Sequence, residues 1–406
     1  MRVLILSQYY PPEIGAAQTR LATVSRHLRE RGHHPEVLTA LPNYPWGKIL
    51  PGYRGRVLTR ERWDGIPVRR VWVRASKRVD SKRLLCYASF VGMSLVGAIG
   101  LRRPDVILVE SPPPTAMLSG WLLGTLWRAK TVMYVADVWP DAAVDAGMMR
   151  EGSRSLSLAR FLERWAYRRA DVVTLSARGA IERLVNEKGV DRSKVAFLPN
   201  GTAVPNLPDR ACARKELGVP DDQILVLYAG TLSYFHGVGV AVRAMDLLRD
   251  DPRLRLLILG EGSELGEVRR LASELDVANV DFLPPVDAQR LDTYWAAADI
   301  GLSCQRDLRI TEIMRLAKVV ATMGAGRPVV LSGRGESARL VREAEAGLVA
   351  PPEDAAELAK ALGDLARAPE ERARLGANGR RYVEANLSWD SLLTDWLRQL
   401  EDRGVR

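Results

Sequence analysis

Cysteine is scarce in this chain of 406 residues, which contains only Cys86, Cys212 and Cys304. The three lie far apart in the sequence and none belongs to a C-x-x-C pair, which excludes a disulfide framework and a structural zinc site as organising features. We therefore expect a protein of a reducing compartment, the cytoplasm. The segment Met1–Leu6 lacks the basic region, the longer apolar run and the small-residue cleavage site of a signal peptide, so we predict no such peptide.

Several motifs of phosphate and metal chemistry are also missing. The sequence has no G-x-x-x-x-G-K-[ST] loop, no G-x-S-x-G elbow and no D-x-D pair for a phosphate-bound metal. The segment Gly260–Gly266 follows an apolar run but reads G-x-G-x-x-x-G, and its Glu261 and Glu264 would repel a pyrophosphate. We therefore predict no nicotinamide site, no other cofactor and no metal. Helix dipoles and cationic side chains would have to stabilise any bound phosphate.

The overall composition is that of a globular protein with more than one core. Hydrophobic residues make up 47% of the chain and charged residues 27%, and 406 residues suit two domains. The net charge of +10 points to a polyanionic partner, which can be nucleic acid, anionic lipid or a phosphorylated small molecule. Because no stripe of basic and aromatic residues and no known binding module is present, we disfavour nucleic acid.

One apolar run, from Leu84 to Leu101, resembles a membrane segment with basic flanks. The flanking residues are Lys77, Arg78, Lys82, Arg83, Arg102 and Arg103. Glycine and serine interrupt the run, and it leads directly into a strand-like segment, so a buried helix that crosses a sheet explains it at least as well. We keep open a buried helix and peripheral contact with the cytoplasmic face of a membrane, and we disfavour a true membrane span.

Apolar, β-branched runs alternate with stretches of helical periodicity, a pattern typical of parallel sheets covered by helices on both faces. The first set of predicted strands comprises 3–7, 34–39, 56–62, 68–73, 106–109, 131–135 and 171–175, with a hairpin turn at Asp64-Gly65. The second set comprises 224–228, 255–259, 280–283, 300–303, 328–331 and 347–349. A polar, proline-rich stretch from Pro199 to Pro220 separates the two sets. The sequence thus predicts two Rossmann-like domains, 1–203 and 204–387, facing a central cleft.

The last residues, 388–406, place apolar side chains at helical spacing from Trp389 to Leu400. Such a stripe needs a surface to cover. We predict a C-terminal helix that crosses back to the N-terminal domain.

Doubly wound sheets bind ligands at the carboxyl ends of their strands, so the loops there are the candidate sites. Gly15, in the first such loop, lets backbone approach an anion at a helix start, or simply makes a tight turn. Loop 230–237 has the same form and adds His236, which can donate to phosphate or be an ordinary exposed histidine. Asp137 can accept a proton or cap a turn before Pro140. Lys318 can contact phosphate or lie on a solvated helix face.

Taken together, several motifs in order and spacing resemble those of a family 4 glycosyltransferase of the GT-B fold, in the branch that builds bacterial polysaccharides. The resemblance spans nearly the whole chain. Its motifs are Tyr10-Pro11-Pro12-Glu13-Ile14-Gly15, Pro42-Asn43-Tyr44-Pro45, Asp137-Val138-Trp139-Pro140-Asp141, Pro199-Asn200-Gly201, Tyr228-Ala229-Gly230-Thr231-Leu232, Leu259-Gly260-Glu261-Gly262, Gly324-Ala325-Gly326-Arg327-Pro328 and Gly335-Glu336-Ser337-Ala338.

This resemblance implies a retaining, metal-independent hexosyltransferase that uses a nucleoside diphosphate sugar, with UDP as the expected nucleotide. The acceptor would be a saccharide, including the lipid-linked kind, in the synthesis of cell-surface polysaccharide or glycoconjugate. By similarity Asp137 would lie beside the reacting centre. The substrate-binding residues it implies are Gly15, Ala16, Asn43, Tyr44, Thr231, Leu232, Ser233, His236, Gly237, Leu283, Pro284, Val286, Lys318 and Thr322.

Two positions depart from the family pattern. The glutamate that commonly holds the ribose is replaced by Ala321, and its usual partner eight residues earlier is Ile313, with Glu312 out of register by one residue. The basic residue that often precedes the aspartate is Ala136. A second hypothesis therefore stands beside the first, namely a degenerate GT-B protein that binds a nucleotide or a partner without transferring sugar.

Overall fold

The computed structural model describes residues 1–13, 15–44, 46–76, 81–145, 147–202 and 204–405. The chain forms two compact units, of which the first comprises residues 1–199 and 392–406 and the second comprises residues 200–391. Lys77 and Arg78, two of the basic residues that precede the apolar run, lie outside the described residues.

The first unit is built on an eight-stranded sheet. Its strands are β1 (Arg2–Ser7), β2 (His34–Ala40), β3 (Leu58–Trp63), β4 (Ile66–Val71), β5 (Val106–Ser111), β6 (Lys130–Val135), β7 (Val172–Leu175) and β8 (Val195–Phe197). They lie in the order β3-β4-β2-β1-β5-β6-β7-β8, and only β3 and β4 pair antiparallel. Valine, leucine and isoleucine fill the central strands because both faces of a parallel sheet are covered.

The hairpin of β3 and β4 turns where the sequence predicts it. Asp64 and Gly65 both have positive φ, 49° and 73°, a conformation that asparagine, aspartate and glycine tolerate best. The other five strands predicted for this half are confirmed with small shifts at their ends. β8 was missed because it has only three residues, which is too short for a periodic signal.

Between the strands of this sheet, the described chain forms the helices α1 (Ala16–Glu30), α2 (Ser81–Ala98), α3 (Ala116–Trp127), α4 (Asp141–Asp145), α5 (Arg154–Arg169) and α6 (Arg178–Lys188). The chain moves from β1 to β2 in one direction across the sheet, and from β4 through β5 and β6 to β7 in the other. Right-handed crossovers therefore place α2, α3 and α5 together on the face opposite α1. The apolar run is largely α2, which buries Cys86 and Phe90. No helix in the described part of the chain has the length and apolarity needed to cross a bilayer.

The second unit has a six-stranded, fully parallel sheet in the order β11-β10-β9-β12-β13-β14. Its strands are β9 (Ile224–Ala229), β10 (Leu254–Leu259), β11 (Val280–Leu283), β12 (Ile300–Cys304), β13 (Val329–Ser332) and β14 (Gly347–Ala350). Its helices are α7 (Arg210–Leu217), α8 (Gly239–Leu247), α9 (Leu265–Glu274), α10 (Ala288–Ala297), α11 (Arg309–Glu312), α12 (Ala317–Gly324), α13 (Gly335–Glu343), α14 (Ala355–Arg367) and α15 (Pro369–Asn386). The predicted fold class, two α/β domains on parallel sheets, is confirmed.

The last helix, α16 (Trp389–Asp402), covers the β8 edge of the first sheet. Its Leu393, Trp396 and Leu400 are buried. The Gln399 amide accepts from the backbone N–H of Phe197 at 2.8 Å and donates to its carbonyl at 3.1 Å, while Trp396 Nε1 donates to Thr174 Oγ1 at 3.0 Å. Because the side-chain amide meets backbone groups that an edge strand leaves unpaired, the helix closes that edge.

Candidate functional site

Glu13 ties together the loops that follow β1 and β2. Its Oε1 accepts from the backbone N–H groups of Asn43 at 2.6 Å and Tyr44 at 2.7 Å, and its Oε2 accepts from that of Tyr10 at 3.2 Å. The side chain is buried, and this burial raises the pKa of Glu13 to about 7, although the three N–H donors oppose the rise. One acidic side chain thus fixes the shape of both loops.

Arg70 supports the same loops from β4. It is the largest fully buried side chain of the described chain, its Nε donates to Glu61 Oε1 at 2.6 Å, and its Nη2 donates to the carbonyl of Pro11. Because the guanidinium has no solvent contact, its donors need partners inside the protein, and two of its three nitrogens find them in Glu61 and in the backbone of Pro11.

A second acidic centre lies where β5 and β6 end. Glu110 forms a buried ion pair with Arg20 from α1, whose guanidinium carbon lies 4.3 Å from the centre of the Tyr134 ring. Burial raises the pKa of Glu110, and the Arg20 guanidinium opposes that rise. The second oxygen of Glu110, Oε2, is buried and has no hydrogen-bond partner among the described residues.

Asp137 follows β6 and is exposed to solvent, yet enough protein surrounds it that desolvation raises the pKa of its carboxyl, with Arg20 opposing. Four residues later Asp141 anchors the segment, because its carboxylate lies 3.1 Å from Arg183 Nη2 and 2.9 Å from Lys188 Nζ. The two aspartates of the D-V-W-P-D motif thus differ in role. Asp141 is held by cations, whereas Asp137 is accessible and can act on a ligand.

Four other residues of the first unit were predicted for the site, and they lie at the start of α1 and in the loop after β2. Gly15 precedes α1 and gives the helix no side-chain cap, with an extended φ of 169° that any residue can adopt. Ala16 is the first residue of α1, and its side chain is not described. Asn43 is buried, and its side-chain Nδ2 donates to the carbonyl oxygen of Leu41 at 2.9 Å. Tyr44 is exposed, and its ring centre lies 5.5 Å from that of Tyr9.

In the second unit, Lys318 reaches the loop that follows β9. Its Nζ donates to the hydroxyl of Tyr228 at 2.8 Å, and a Cβ at Gly230 would come within 3.2 Å of its Cε. Burial lowers the pKa of Lys318 to about 7, an effect that the Cys304 thiol opposes. The amine is therefore poised to gain a proton when a negative ligand arrives.

His236 is held in one tautomer in the same loop. Its Nδ1 accepts from the backbone N–H of Ser233 at 3.3 Å and lies 2.9 Å from the Ser233 hydroxyl. Burial and the nearby Lys318 lower the pKa of His236 to about 2. The neutral ring consequently carries its proton on Nε2 and presents a hydrogen-bond donor. Gly237, with φ of 54°, gives the turn into α8, where a Cβ would meet Arg306 Cγ at 2.8 Å.

The glycine-rich segment after β10 supports this loop. A Cβ at Gly260 would lie 1.9 Å from the Gly230 carbonyl oxygen, and one at Gly262 would lie 2.0 Å from that of Leu232. The backbones also exchange hydrogen bonds, since Leu232 N donates to Glu261 O at 2.8 Å. Close packing of the two backbones therefore accounts for glycine at positions 260 and 262, and no bound dinucleotide is needed to explain it.

The remaining second-unit predictions lie in three places, namely the loop after β9, the end of β11 and helix α12. Thr231 is exposed, and its carbonyl accepts from the Tyr228 hydroxyl at 2.7 Å, while Leu232 is buried. Leu283, Pro284 and Val286 lie at the end of β11, with Leu283 and Val286 packed on an apolar cluster. Thr322 is fully buried and donates to the Lys318 carbonyl at 2.8 Å, so it supports the lysine from within the core.

The departures from the family pattern are also visible in the fold. Ala321 lies in α12 and is only partly buried. Ile313 follows α11, and the neighbouring Glu312 pairs with Arg334 Nη2 at 2.7 Å. Neither Ala321 nor Ile313 has a side chain that can accept a hydrogen bond from a ribose, and the neighbouring carboxylate of Glu312 already has a cationic partner.

Sequence reasoning missed Arg20, Glu110 and Tyr228 as members of these sites. Glu110 did give a signal, since a carboxylate interrupts the apolar run of β5 and a buried charge requires a partner. Its partner lies 90 residues earlier in the sequence, and Tyr228 lies 90 residues before Lys318. The local sequence pattern around a residue does not reveal a contact with a partner 90 residues away.

Comparison with known proteins places the chain in a family. Residues 15–201 match the family model described as Glycosyl transferase 4-like domain, and residues 209–382 match Glycosyl transferases group 1. The chain belongs to the family 4 glycosyltransferases. The resemblance read from its motifs is thereby confirmed.

Among this glycosyltransferase's relatives is the putative colanic acid biosynthesis glycosyl transferase WcaI of Escherichia coli K12, 28% identical over 75% of this chain and 77% of the relative. A D-inositol 3-phosphate glycosyltransferase of Geodermatophilus obscurus is 28% identical over 99% of this chain and 90% of the relative.

Solved structures show the same fold. Sucrose-phosphate synthase of Thermosynechococcus elongatus gives a TM-score of 0.78 at 20% identity, covering 99% of this chain and 98% of that one. Anabaena Alr3699/HepE in complex with UDP-glucose gives 0.75 at 18% identity, covering 99% of both chains.

Proposed function

We propose that this glycosyltransferase moves a sugar from a nucleoside diphosphate sugar, with UDP as the nucleotide, to a saccharide acceptor in the synthesis of cell-surface polysaccharide. The observation that carries the proposal is the partly buried amine of Lys318, which donates to Tyr228 beside the glycine turn after β9. A partly desolvated amine at the carboxyl end of a parallel strand is suited to an anionic ligand.

The second unit supplies a donor set for a diphosphate. Lys318 provides a cation once protonated, His236 provides a neutral N–H, and the chain turns at Gly237 into the start of α8. Because the pyrophosphate of a nucleotide sugar is an anion with several acceptor oxygens, it matches one cation together with neutral donors. We propose that this set stabilises the departing diphosphate, so that transfer needs no added metal.

Two relatives support the choice of substrates. Alr3699/HepE has been solved with UDP and with UDP-glucose, and WcaI is named for the biosynthesis of colanic acid. The proposal extends UDP to this chain as the nucleotide and a polysaccharide precursor as the acceptor. We propose in addition that the acceptor saccharide is lipid-linked and that the sugar is transferred with retention of its anomeric configuration.

On the first unit, Asp137 is proposed to contact the reacting sugar or the acceptor hydroxyl. Its side chain is exposed, and desolvation raises the pKa of its carboxyl. Carboxylates of this kind orient hydroxyl groups by accepting their hydrogen bonds.

The direct test is calorimetric titration with a panel of nucleotide sugars, followed by an assay of diphosphate release with saccharide acceptors. We expect UDP-sugars to bind, K318M to weaken that binding and K318R to retain it in part. Product NMR reports the anomeric configuration, and a chelator-treated sample tests the need for metal. Absence of binding by any nucleotide sugar would refute the proposal.

Ala321 favours a second candidate, a protein that binds a nucleotide without transferring sugar. Ala321 cannot accept from the ribose hydroxyls, and Glu312 is already paired with Arg334. The A321E variant separates the two candidates. If wild-type protein binds UDP without turnover and A321E gains both affinity and turnover, the site has decayed; turnover by the wild type excludes this candidate.

A further inference from the structure

The outer face of the first unit departs from the usual pattern of a helix that covers a sheet. Such a helix normally turns charged residues to solvent. On α2, however, the exposed positions run through Leu85, Ala88, Gly92 and Val96, and Ile99 directly after the helix is 73% exposed. Beyond the first turn of α2, this outward stripe contains no charged residue.

The neighbouring helix α3 continues the apolar surface. It contains no charged residue at all, and its Leu122 and Leu126 face outward, Leu126 with 74% exposure. Ser94 Oγ of α2 donates to Ser119 Oγ of α3 at 2.8 Å, so the two helices lie side by side. Their apolar stripes therefore form one surface.

The helix α5 adds aromatic residues to the same surface. Trp165 packs edge-on against Trp121 of α3, with ring centres 5.6 Å apart, and Phe161 one turn earlier is 58% exposed. None of the three helices has an exposed acidic side chain, since the one acidic residue among them, Glu163, is buried against Lys188. We call this three-helix surface the α2/α3/α5 face.

Arginines border the face at one end. The three helices run parallel, so their C-terminal ends share an edge. Five arginines are exposed there, Arg102, Arg103, Arg128, Arg168 and Arg169, beside Asp105 and Lys130. A surface cavity of about 290 Å³ is lined by Phe161, Arg164, Trp165, Arg168 and Arg169. Among the described residues, Arg164, Arg168 and Arg169 form no ion pair with a carboxylate. Arginine at a helix C-terminus complements the helix dipole, but that effect does not require an uncharged outward stripe.

We propose that the α2/α3/α5 face docks on a bilayer that contains anionic phospholipids. Apolar side chains would enter the interface while the arginines meet lipid phosphates, an arrangement characteristic of proteins that lie on membranes without crossing them. A symmetric contact with a second copy suits the face less well, because the same patch would lie on both sides and its three helices expose no acidic side chain to meet the arginines.

This inference rests on the proposed function only for its purpose, since docking brings the enzyme to a lipid-linked acceptor. The surface itself can be tested without any substrate.

The test is sedimentation of the full-length protein with vesicles of phosphatidylcholine alone or with about one third phosphatidylglycerol, an anionic fraction chosen to expose the charge dependence. Wild-type protein is expected to bind the anionic vesicles at least tenfold better. The L122E/L126E variant should lose at least tenfold in partitioning. The R164Q/R168Q variant should lose roughly fivefold per arginine, an effect that high salt reproduces.

The matched control is L247E, since Leu247 is a similarly exposed leucine, at 60%, on a helix of the second unit. It should bind vesicles like the wild type. F161E serves as a second variant of the face in case the double variant does not fold, which circular dichroism monitors.

Equal binding to both vesicle types, or unchanged binding by the variants of the face, would overturn the inference. So would a wild-type dimer that L122E/L126E dissociates, because the face would then be an interface between copies. Vesicle binding without nucleotide binding would support this inference and refute the proposed function. Nucleotide binding without vesicle binding would support the proposed function and refute this inference.

Discussion

The carboxyl ends of the two sheets carry opposite kinds of chemistry. In the first unit the loops are organised by carboxylates, with Glu13 holding backbone N–H groups and Glu110 paired with Arg20. In the second unit the polar centre is the amine of Lys318, which has only a hydroxyl as its hydrogen-bond partner in the described structure. Glu13 and Glu110 are therefore already engaged inside the protein, whereas the amine of Lys318 has no counterion among the described residues and is open to an anion.

The difference indicates how one topology is adapted to two tasks. A parallel sheet brings the loops of adjacent strands together at one edge, whichever residues those loops contain. A charge already paired inside the protein fixes loop shape, and a charge left without a counterion is available for ligand binding. Four experiments break or sharpen this contrast.

The largest effect is expected when the internal pair of the first unit is broken. R20M leaves Glu110 buried without its cation, so we expect a loss of about 3 to 5 kcal/mol in unfolding free energy at pH 7.5. Urea denaturation measures it. The R20M/E110Q double variant should recover part of the loss, since no unpaired charge remains. Equal stability of R20M and wild type would contradict the structural role given to the pair.

The second effect concerns the open charge. K318M should weaken binding of UDP-sugar by roughly 10 to 100-fold, about 1.5 to 3 kcal/mol, the usual worth of a hydrogen bond to a charged group. Calorimetry measures the affinity. Stability should change little, because methionine fills similar space without a desolvated amine. Y228F is the control for the hydroxyl and should cost less affinity than K318M; the reverse order would assign the recognition to the tyrosine.

The third effect is a pH dependence of stability in the first unit. The pKa of Glu13 is about 7 in the folded protein and near 4.5 when unfolded, so the folded state binds more protons between these values. Its stabilising contribution is thus present below about pH 4.5 and is lost as the pH rises through 7. Relative to E13Q, wild-type protein should lose roughly 1 to 3 kcal/mol between pH 5 and pH 8.

Denaturation curves of both proteins across that range provide the measurement. The E13Q curve removes the contributions of all other titrating groups, which the two proteins share. A constant difference between the curves would show that Glu13 stays ionised throughout.

The smallest effect is a pH dependence of donor binding. Lys318 has a pKa of about 7 before the ligand binds, and a bound diphosphate raises that pKa, so binding takes up a proton above pH 7. The dissociation constant of a UDP-sugar should rise up to tenfold per pH unit from pH 7 to pH 8, about 1.4 kcal/mol. K318R stays charged and should show a flat profile; a slope that K318R retains would come from another group.

Much of the fold could be predicted from the sequence, and less of the site. Unbroken apolar runs predicted the buried strands, and the residue types Asp64-Gly65 predicted the turn. Both signals are local in the sequence. The orientation of polar side chains could not be predicted in this way, because it depends on which neighbours the fold supplies. Asn43 and Thr322 were predicted to contact a ligand, yet the amide of Asn43 donates to Leu41 and the hydroxyl of Thr322 to Lys318.

The sequence by itself determined the two α/β units, the positions of their loops and the family to which the chain belongs, since periodicity and motif order are properties of the linear chain. Only the tertiary structure decided which charges meet. The pairing of Arg20 with Glu110, the contact of Lys318 with Tyr228 and the joining of three apolar helix faces all depend on crossovers that bring distant segments together. A side chain's protonation and its availability to a ligand follow from those neighbours, which residue type alone does not specify.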